Sequence, residues 1–146
     1  MFFMGTYTPK LDDKGRLILP AKFRDQLAGG LVVTQGQEKC LDVWPESDFM
    51  AEAERAKARG MTSRTGRDYA RMLFASAEQG VPDKQGRISL TPSLREYAAI
   101  TRDVVVIGAM DRVEIWEPTR WREYSASAQE KFAELDEERA AEQRPD

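Results

Sequence analysis

Apolar residues in this chain gather in short blocks, and the blocks recur in one order twice. Residues 31–34 (Leu-Val-Val-Thr) and 104–107 (Val-Val-Val-Ile) are β-branched runs, and 41–44 (Leu-Asp-Val-Trp) and 113–116 (Val-Glu-Ile-Trp) alternate between apolar and polar. Each run with the alternating segment after it reads as a hairpin. Earlier in each half a short strand, about 5–8 or about 75–79, leads to a polar turn with glycine, and a second strand, 16–19 or 87–90, leaves it. Gly15 or Gly86 supplies the positive φ such a hairpin with a bulge needs. Pro20 and Pro92 then suit the first turn of a brief helix, with Thr91 placed as the N-cap of the second.

Each half closes with a longer helix entered through proline and acids, Pro45-Glu46-Ser47-Asp48 and Glu117-Pro118. In the second, Trp121, Tyr124 or Ser125, Ala128, Phe132 and Leu135 form one stripe at helical spacing. The stripe needs cover, either from the sheet or from a neighbouring subunit. Core packing, rather than ligand stacking, is the role expected of Trp44, Trp116 and Trp121.

The recurrence is closest around the turns. At an offset of 71, Asp12, Gly15, Arg16, Leu19 and Arg24 match Asp83, Gly86, Arg87, Leu90 and Arg95. A repeat of this kind defines the architecture: an α+β chain with a first domain over 5–50, a helical and basic linker over 51–73, and a second domain over 74–136 ending in the amphipathic helix. A charged, flexible tail is expected over 137–146. The linker carries Lys57, Arg59, Arg64, Arg67 and Arg71, opposed mainly by Asp68. Two readings of it stand equal: a phosphate-touching patch, or a solvated connection whose end returns to a packed helix.

Composition narrows the chemistry. The chain has 146 residues and no histidine, which removes Ser-His and Cys-His nucleophiles, histidine-bearing zinc sites and a histidine general base. Its single cysteine, Cys40, cannot form an internal disulfide and reads as a small core residue. No phosphate-binding glycine motif or metal-ligand cluster is present, so neither an enzyme nor a cofactor or small-molecule substrate is expected. No apolar run approaches the roughly 18 residues of a membrane span, and the start lacks a signal-peptide pattern, which points to the cytoplasm.

The net charge of −3 is unevenly placed. From Glu123 onward there are eight acids and three bases, leaving 19 bases and 17 acids in residues 1–122. The body is weakly basic and a polyanionic partner is compatible with it.

An Asp and an Arg flanking one hairpin turn are ordinary; such an exposed pair contributes about 0–1 kcal/mol. Turn geometry explains glycine but does not ask for arginine immediately after it in both copies. The planar fork of arginine suits two-point recognition of a phosphate or of a guanine edge, and an aspartate restrains it. Lys14 and Lys84 stand nearby as phosphate contacts.

The stretches Met1–Arg24 (MFFMGTYTPKLDDKGRLILPAKFR) and Asp83–Ala98 (DKQGRISLTPSLREYA), with the paired Val-Trp and Ile-Trp segments, closely resemble the MraZ family of bacterial transcriptional regulators over 1–136. The opening differs in one respect: Met4 adds a residue before Gly5. The resemblance implies two tandem SpoVT/AbrB-like domains of swapped-hairpin type in pseudo-twofold relation, and a ring-shaped homo-oligomer associated with the nucleoid. It implies binding to double-stranded DNA at guanine-rich direct repeats, upstream of a division and cell-wall gene cluster that includes the protein's own promoter. The family's Asp-x-x-x-Arg signatures fall on Asp12 with Arg16 and on Asp83 with Arg87. In a ring, weakly basic turns displayed side by side would add their affinities. The alternative is an antitoxin-type interaction module of the same fold group; such proteins usually carry one unit and a longer disordered tail.

Overall fold

The structure, a computed structural model, describes residues 2–142. The first half supplies strands β1 (Thr6–Tyr7) and β2 (Arg16–Ile18), helix α1 (Ala21–Leu27), and strands β3 (Leu31–Gln35) and β4 (Leu41–Pro45). Helices α2 (Glu46–Gly60) and α3 (Arg64–Ser76) connect it to the second. There follow β5 (Glu78–Gly80), β6 (Arg87–Ser89), α4 (Pro92–Tyr97), β7 (Val105–Gly108), β8 (Val113–Trp116) and α5 (Pro118–Glu142). The fold is α+β with antiparallel sheets: a six-stranded sheet in the order β1-β7-β8-β4-β3-β5, and a two-stranded ribbon of β2 and β6.

The expected hairpins β3–β4 and β7–β8 form, and every other strand pairing joins one half of the chain to the other. The registers repeat when the halves are exchanged. In the ribbon Leu17 faces Ile88, with Arg16 opposite Ser89 and Ile18 opposite Arg87, so an offset of 71 maps the ladder onto itself. Asp42 faces Glu114 between Leu41–Ile115 and Val43–Val113 in the same way. Tyr7 opposite Val106 has its counterpart in Glu78 opposite Val33.

Period-two alternation sorts the large sheet into two faces. Leu31, Val33, Leu41, Val43, Val113 and Ile115 point into one core shared with Leu17 and Ile88 of the ribbon, Phe23 and Leu27 of α1, and Leu94 of α4. At about 1.5–3 kcal/mol for each large apolar side chain fully buried, this shared core is the main reason the halves interleave. On the opposite face Val32 and Trp44 lie under α2 and α3, against Phe49, Ala56 and Leu73, while Val105 and Trp116 lie against Trp121 of α5. Trp44 and Trp116 are buried, as expected of packing residues.

Local details differ from expectation in three places. β1 does not pair with β2, nor β5 with β6, β5 taking the edge of β3 instead; the turn between β1 and β2 is closed by the bridge Leu11–Leu17. β1 instead takes the edge of β7, where Tyr7 packs edge-on against Phe23 with ring centroids 5.3 Å apart. The strand expected from about 75 starts at Glu78 because Ala75 and Ser76 complete α3. Helix α5 runs on to Glu142, through the first part of the expected tail, and residues 143–146 lie outside the described residues. At α4 the expected cap is present: the Thr91 hydroxyl accepts the Leu94 N–H and Pro92 opens the helix.

Candidate nucleic-acid interface

The two glycine turns have matching atoms. Asp12 Oδ1 accepts the backbone N–H of Lys14 and of Arg16, each at 2.9 Å, and Oδ2 accepts Arg16 Nε at 2.7 Å. Asp83 does the same with the N–H groups of Gln85 and Arg87 at 2.9 Å and with Arg87 Nε at 2.8 Å. These bonds, the backbone N–H of the arginine first among them, hold both carboxyls below the ordinary aspartate value. Each aspartate therefore stays ionised and grips its arginine by Nε. Among the described residues the terminal nitrogens of Arg16 and Arg87 carry no other hydrogen bond.

Alternation along the ribbon decides where the arginines point. Leu17 and Ile88 are buried, so Arg16, Ile18, Arg87 and Ser89 share the opposite, outward face. Arg16 and Arg87 are diagonal neighbours there, about 7–8 Å apart by sheet geometry. The sequence-derived set of Asp12, Arg16, Asp83 and Arg87 thus comes together on one two-stranded surface. Lys14 and Lys84 are both exposed, but they are not equivalent: at the offset of 71 Lys14 corresponds to Gln85, and Lys84 to Asp13.

Two further arginines adjoin the turns. Gly15 and Gly86 have φ of +75° and +78°, a region that side chains with a β-carbon rarely adopt. Both are also covered from the other half. A β-carbon on Gly15 would stand 2.9 Å from Arg95 Cζ, and one on Gly86 would stand 2.5 Å from Arg24 Nε. Arg24 Nε donates to the Leu19 carbonyl at 2.9 Å and Arg95 Nε to that of Leu90 at 3.1 Å. Each turn is thereby floored by an arginine of the opposite half. The repeat pairs Arg24 with Arg95, but only the interleaving of the halves reveals what they touch.

The basic linker is partly neutralised from within. Glu52, 8% exposed, accepts Arg55 Nη2 and Arg59 Nη2 at 2.8 Å and the Tyr69 hydroxyl at 3.1 Å. Burial alone would raise its carboxyl, yet the hydrogen bonds from Arg55, Arg59 and Tyr69 outweigh burial and hold it below the ordinary glutamate value. Tyr69 is pushed up to about 12 by burial and by Glu52. This cluster fastens α3 to α2, and it leaves Lys57, Arg64 and Arg67 facing solvent.

A second charged cluster lies at the centre of the outer sheet face. Arg112 donates to Glu114 at 2.9 Å and to Asp111 at 3.2 Å, and its Nε is 3.4 Å from Asp42. Burial pushes Asp42 up to about 7 against the pull of Arg112. Cys40, Asp42 and Glu114 could converge on a cation, their ligand atoms lying within 4.8 Å of one another. Arg112 already provides the opposing charge there, and burial drives the Cys40 thiol well above its ordinary value, away from the thiolate that a nucleophile or metal ligand requires. The adjoining cleft, about 580 Å³, is walled by both acids and bases, among them Arg59, Glu52 and Asp42. No described helix is long and apolar enough to cross a membrane.

Comparison with known proteins addresses the repeat and the turns together. A family model for the MraZ protein, whose description carries the words antitoxin-like, matches residues 2–71 and again 73–143. A transcriptional regulator MraZ of Nocardioides sp. is 71% identical over 140 residues, covering 96% of this chain and 97% of the relative. Regulators of the same name from Salinispora tropica and Cutibacterium acnes are 56% and 52% identical, over 92% and 91% of this chain and 95% and 94% of their own lengths. Two successive matches to one family model, together with identities above half along nearly the whole chain, establish that this chain belongs to the MraZ family.

Proposed function

We propose that this chain is a transcriptional regulator that binds double-stranded DNA in a sequence-specific manner through the outward face of the β2–β6 ribbon. The carrying observation is that Arg16 and Arg87, each gripped through Nε by an aspartate, lie on the same face of a two-stranded antiparallel ribbon. The major groove admits such a ribbon, and arginine pairing with the O6 and N7 atoms of guanine is the commonest specific base contact. Asp12 and Asp83 position the two forks; Lys14, Lys84, Arg24 and Arg95 would meet phosphates. The family relatives, named as transcriptional regulators, support the regulatory role.

The exchange-symmetric registers support reading the body as two tandem SpoVT/AbrB-like, swapped-hairpin-type units in pseudo-twofold relation. We further propose a ring-shaped homo-oligomer that reads guanine-rich direct repeats upstream of the division and cell-wall genes, its own promoter included. Several ribbons on one assembly raise the local concentration of each at the next repeat. In this account the chain is not an enzyme, takes no cofactor and acts at the nucleoid.

A salt-dependent titration against the DNA just upstream of its own gene tests the proposal. The complex weakens as salt rises, and scrambled DNA of equal length binds far more weakly. Equal affinity for both DNAs at every salt would overturn specific readout. The antitoxin-like wording of the family description supports a second reading, an interaction module whose partner is a protein. A second polypeptide that co-purifies stoichiometrically and replaces DNA binding would favour it.

A further inference from the structure

Helices α2 and α5 hold equivalent places, each leaving a strand that carries a tryptophan, Trp44 or Trp116. The apolar side of α2, with Phe49, Ala53 and Ala56 buried, is covered by α3 and the sheet. At the tryptophan offset of 72 these positions become Trp121, Ser125 and Ala128 in α5. Among the described residues no helix follows α5 to do for it what α3 does for α2. Beyond Tyr124, whose ring packs on Trp116 with centroids 5.0 Å apart, its stripe is open to solvent: Phe132 is 77% and Leu135 40% exposed.

Charge selects the occupant. The exposed length of α5 over 122–135 carries Glu123, Glu130 and Glu134 against Arg122 and Lys131, and four more acids against one base follow in the sequence before its end at Glu142. A second α5 laid on it would bring acids against acids, an arrangement that is electrostatically penalised. The outward side of the α2–α3 pair is complementary. Residues 54–71 hold six basic side chains and two acids, Glu54 and Asp68. Arg55 and Arg59 are taken up by Glu52, which leaves Lys57, Arg64, Arg67 and Arg71 on the surface, and Met50, Met72 and Phe74 are each at least half exposed on the same two helices.

We infer that the α5 stripe of one copy docks on the outward side of the α2–α3 pair of a second copy, which covers the stripe in trans. The inference rests on the proposal that the chain assembles with itself. A contact between two different patches is heterologous, and it closes into a ring when the rotation permits. It also gives the basic linker a partner other than DNA.

The test uses sedimentation of the full chain and two variants, Phe132→Glu with Leu135→Glu, and Lys57→Glu with Arg71→Glu. All four side chains are on the surface, and unchanged far-UV circular dichroism confirms the fold; Phe132→Ser replaces the first variant if its helix content falls. Each variant is expected to sediment as a monomer where the wild type is an oligomer. Mixed in equal amounts they retain one intact pair of faces, and the expected species is a dimer and nothing larger. A mixture that stays monomeric, or a first variant that keeps the wild-type size, overturns the inference while the wild-type oligomer leaves self-assembly standing. A monomeric wild type overturns self-assembly itself, and the inference with it.

Discussion

The guanidinium of Arg95 lies over Gly15, 2.9 Å from where a β-carbon on that glycine would stand, and Arg24 covers Gly86 in the same manner. The two turns are therefore built by both halves at once. Gly15→Ala would place a β-carbon in a left-handed conformation and push Arg95 away. The expected loss is about 1–2 kcal/mol of stability in urea denaturation. Gly29→Ala is the control, since nothing lies within 4 Å of a β-carbon there, and it should stay within about 0.5 kcal/mol of wild type.

Asp12 holds Arg16 through its backbone N–H and its Nε, and accepts the backbone N–H of Lys14 as well. Asp12→Asn keeps the shape, removes the charge and weakens the grip. Competition titrations should show a smaller ratio of specific to scrambled-DNA affinity, with scrambled DNA bound as well as before or better. A ratio unchanged from wild type would remove the positioning role from Asp12.

Leu17 and Ile88 meet at the centre of the ribbon, 0% and 4% exposed. Leu17→Ala should cost about 2–5 kcal/mol, the range for deleting a fully buried leucine side chain. Ile18→Ala, one residue away on the outward face and 49% exposed, should cost far less. Similar losses for the two in denaturant melts would contradict the alternation that aims Arg16 outward.

Asp42 is raised by burial from 3.8 to about 7, so the folded state favours its protonated form. Its contribution to stability is complete below the unfolded value and is lost as pH rises through the folded one. Stability measured by denaturation at stepped pH should fall, through this group, between about 3.8 and about 7. Asp42→Asn should flatten that part of the curve, because Arg112 keeps Glu114 and Asp111 as partners. Parallel curves for variant and wild type would contradict the assignment.

Much of this was legible in the residues. Glycine before arginine in both turns, the Thr91 cap, and the alternation of 41–44 and 113–116 each depend on neighbours in sequence, and each was readable there. What was hidden depends on contacts far along the chain. Strands of two or three residues such as β1 and β2 carry too short a pattern to declare a partner, so the pairing of β2 with β6 emerges only in the folded chain. The same holds for Arg24 and Arg95, whose roles lie across the interleaved halves. Likewise Glu52 reads as one acid among several on α2, until packing buries it between Arg55, Arg59 and Tyr69.

The central claim is that the two ribbon arginines read DNA. Its most direct test is a fluorescence-anisotropy titration of the chain's own upstream DNA with wild type and with Arg16→Ala combined with Arg87→Ala, at matched salt and with oligomer size monitored by sedimentation. The account predicts a loss of roughly 1–3 kcal/mol per engaged arginine, a collapse of the preference over scrambled DNA, and no change in oligomer size. A folded double variant that binds the upstream DNA as tightly and as selectively as wild type would contradict it.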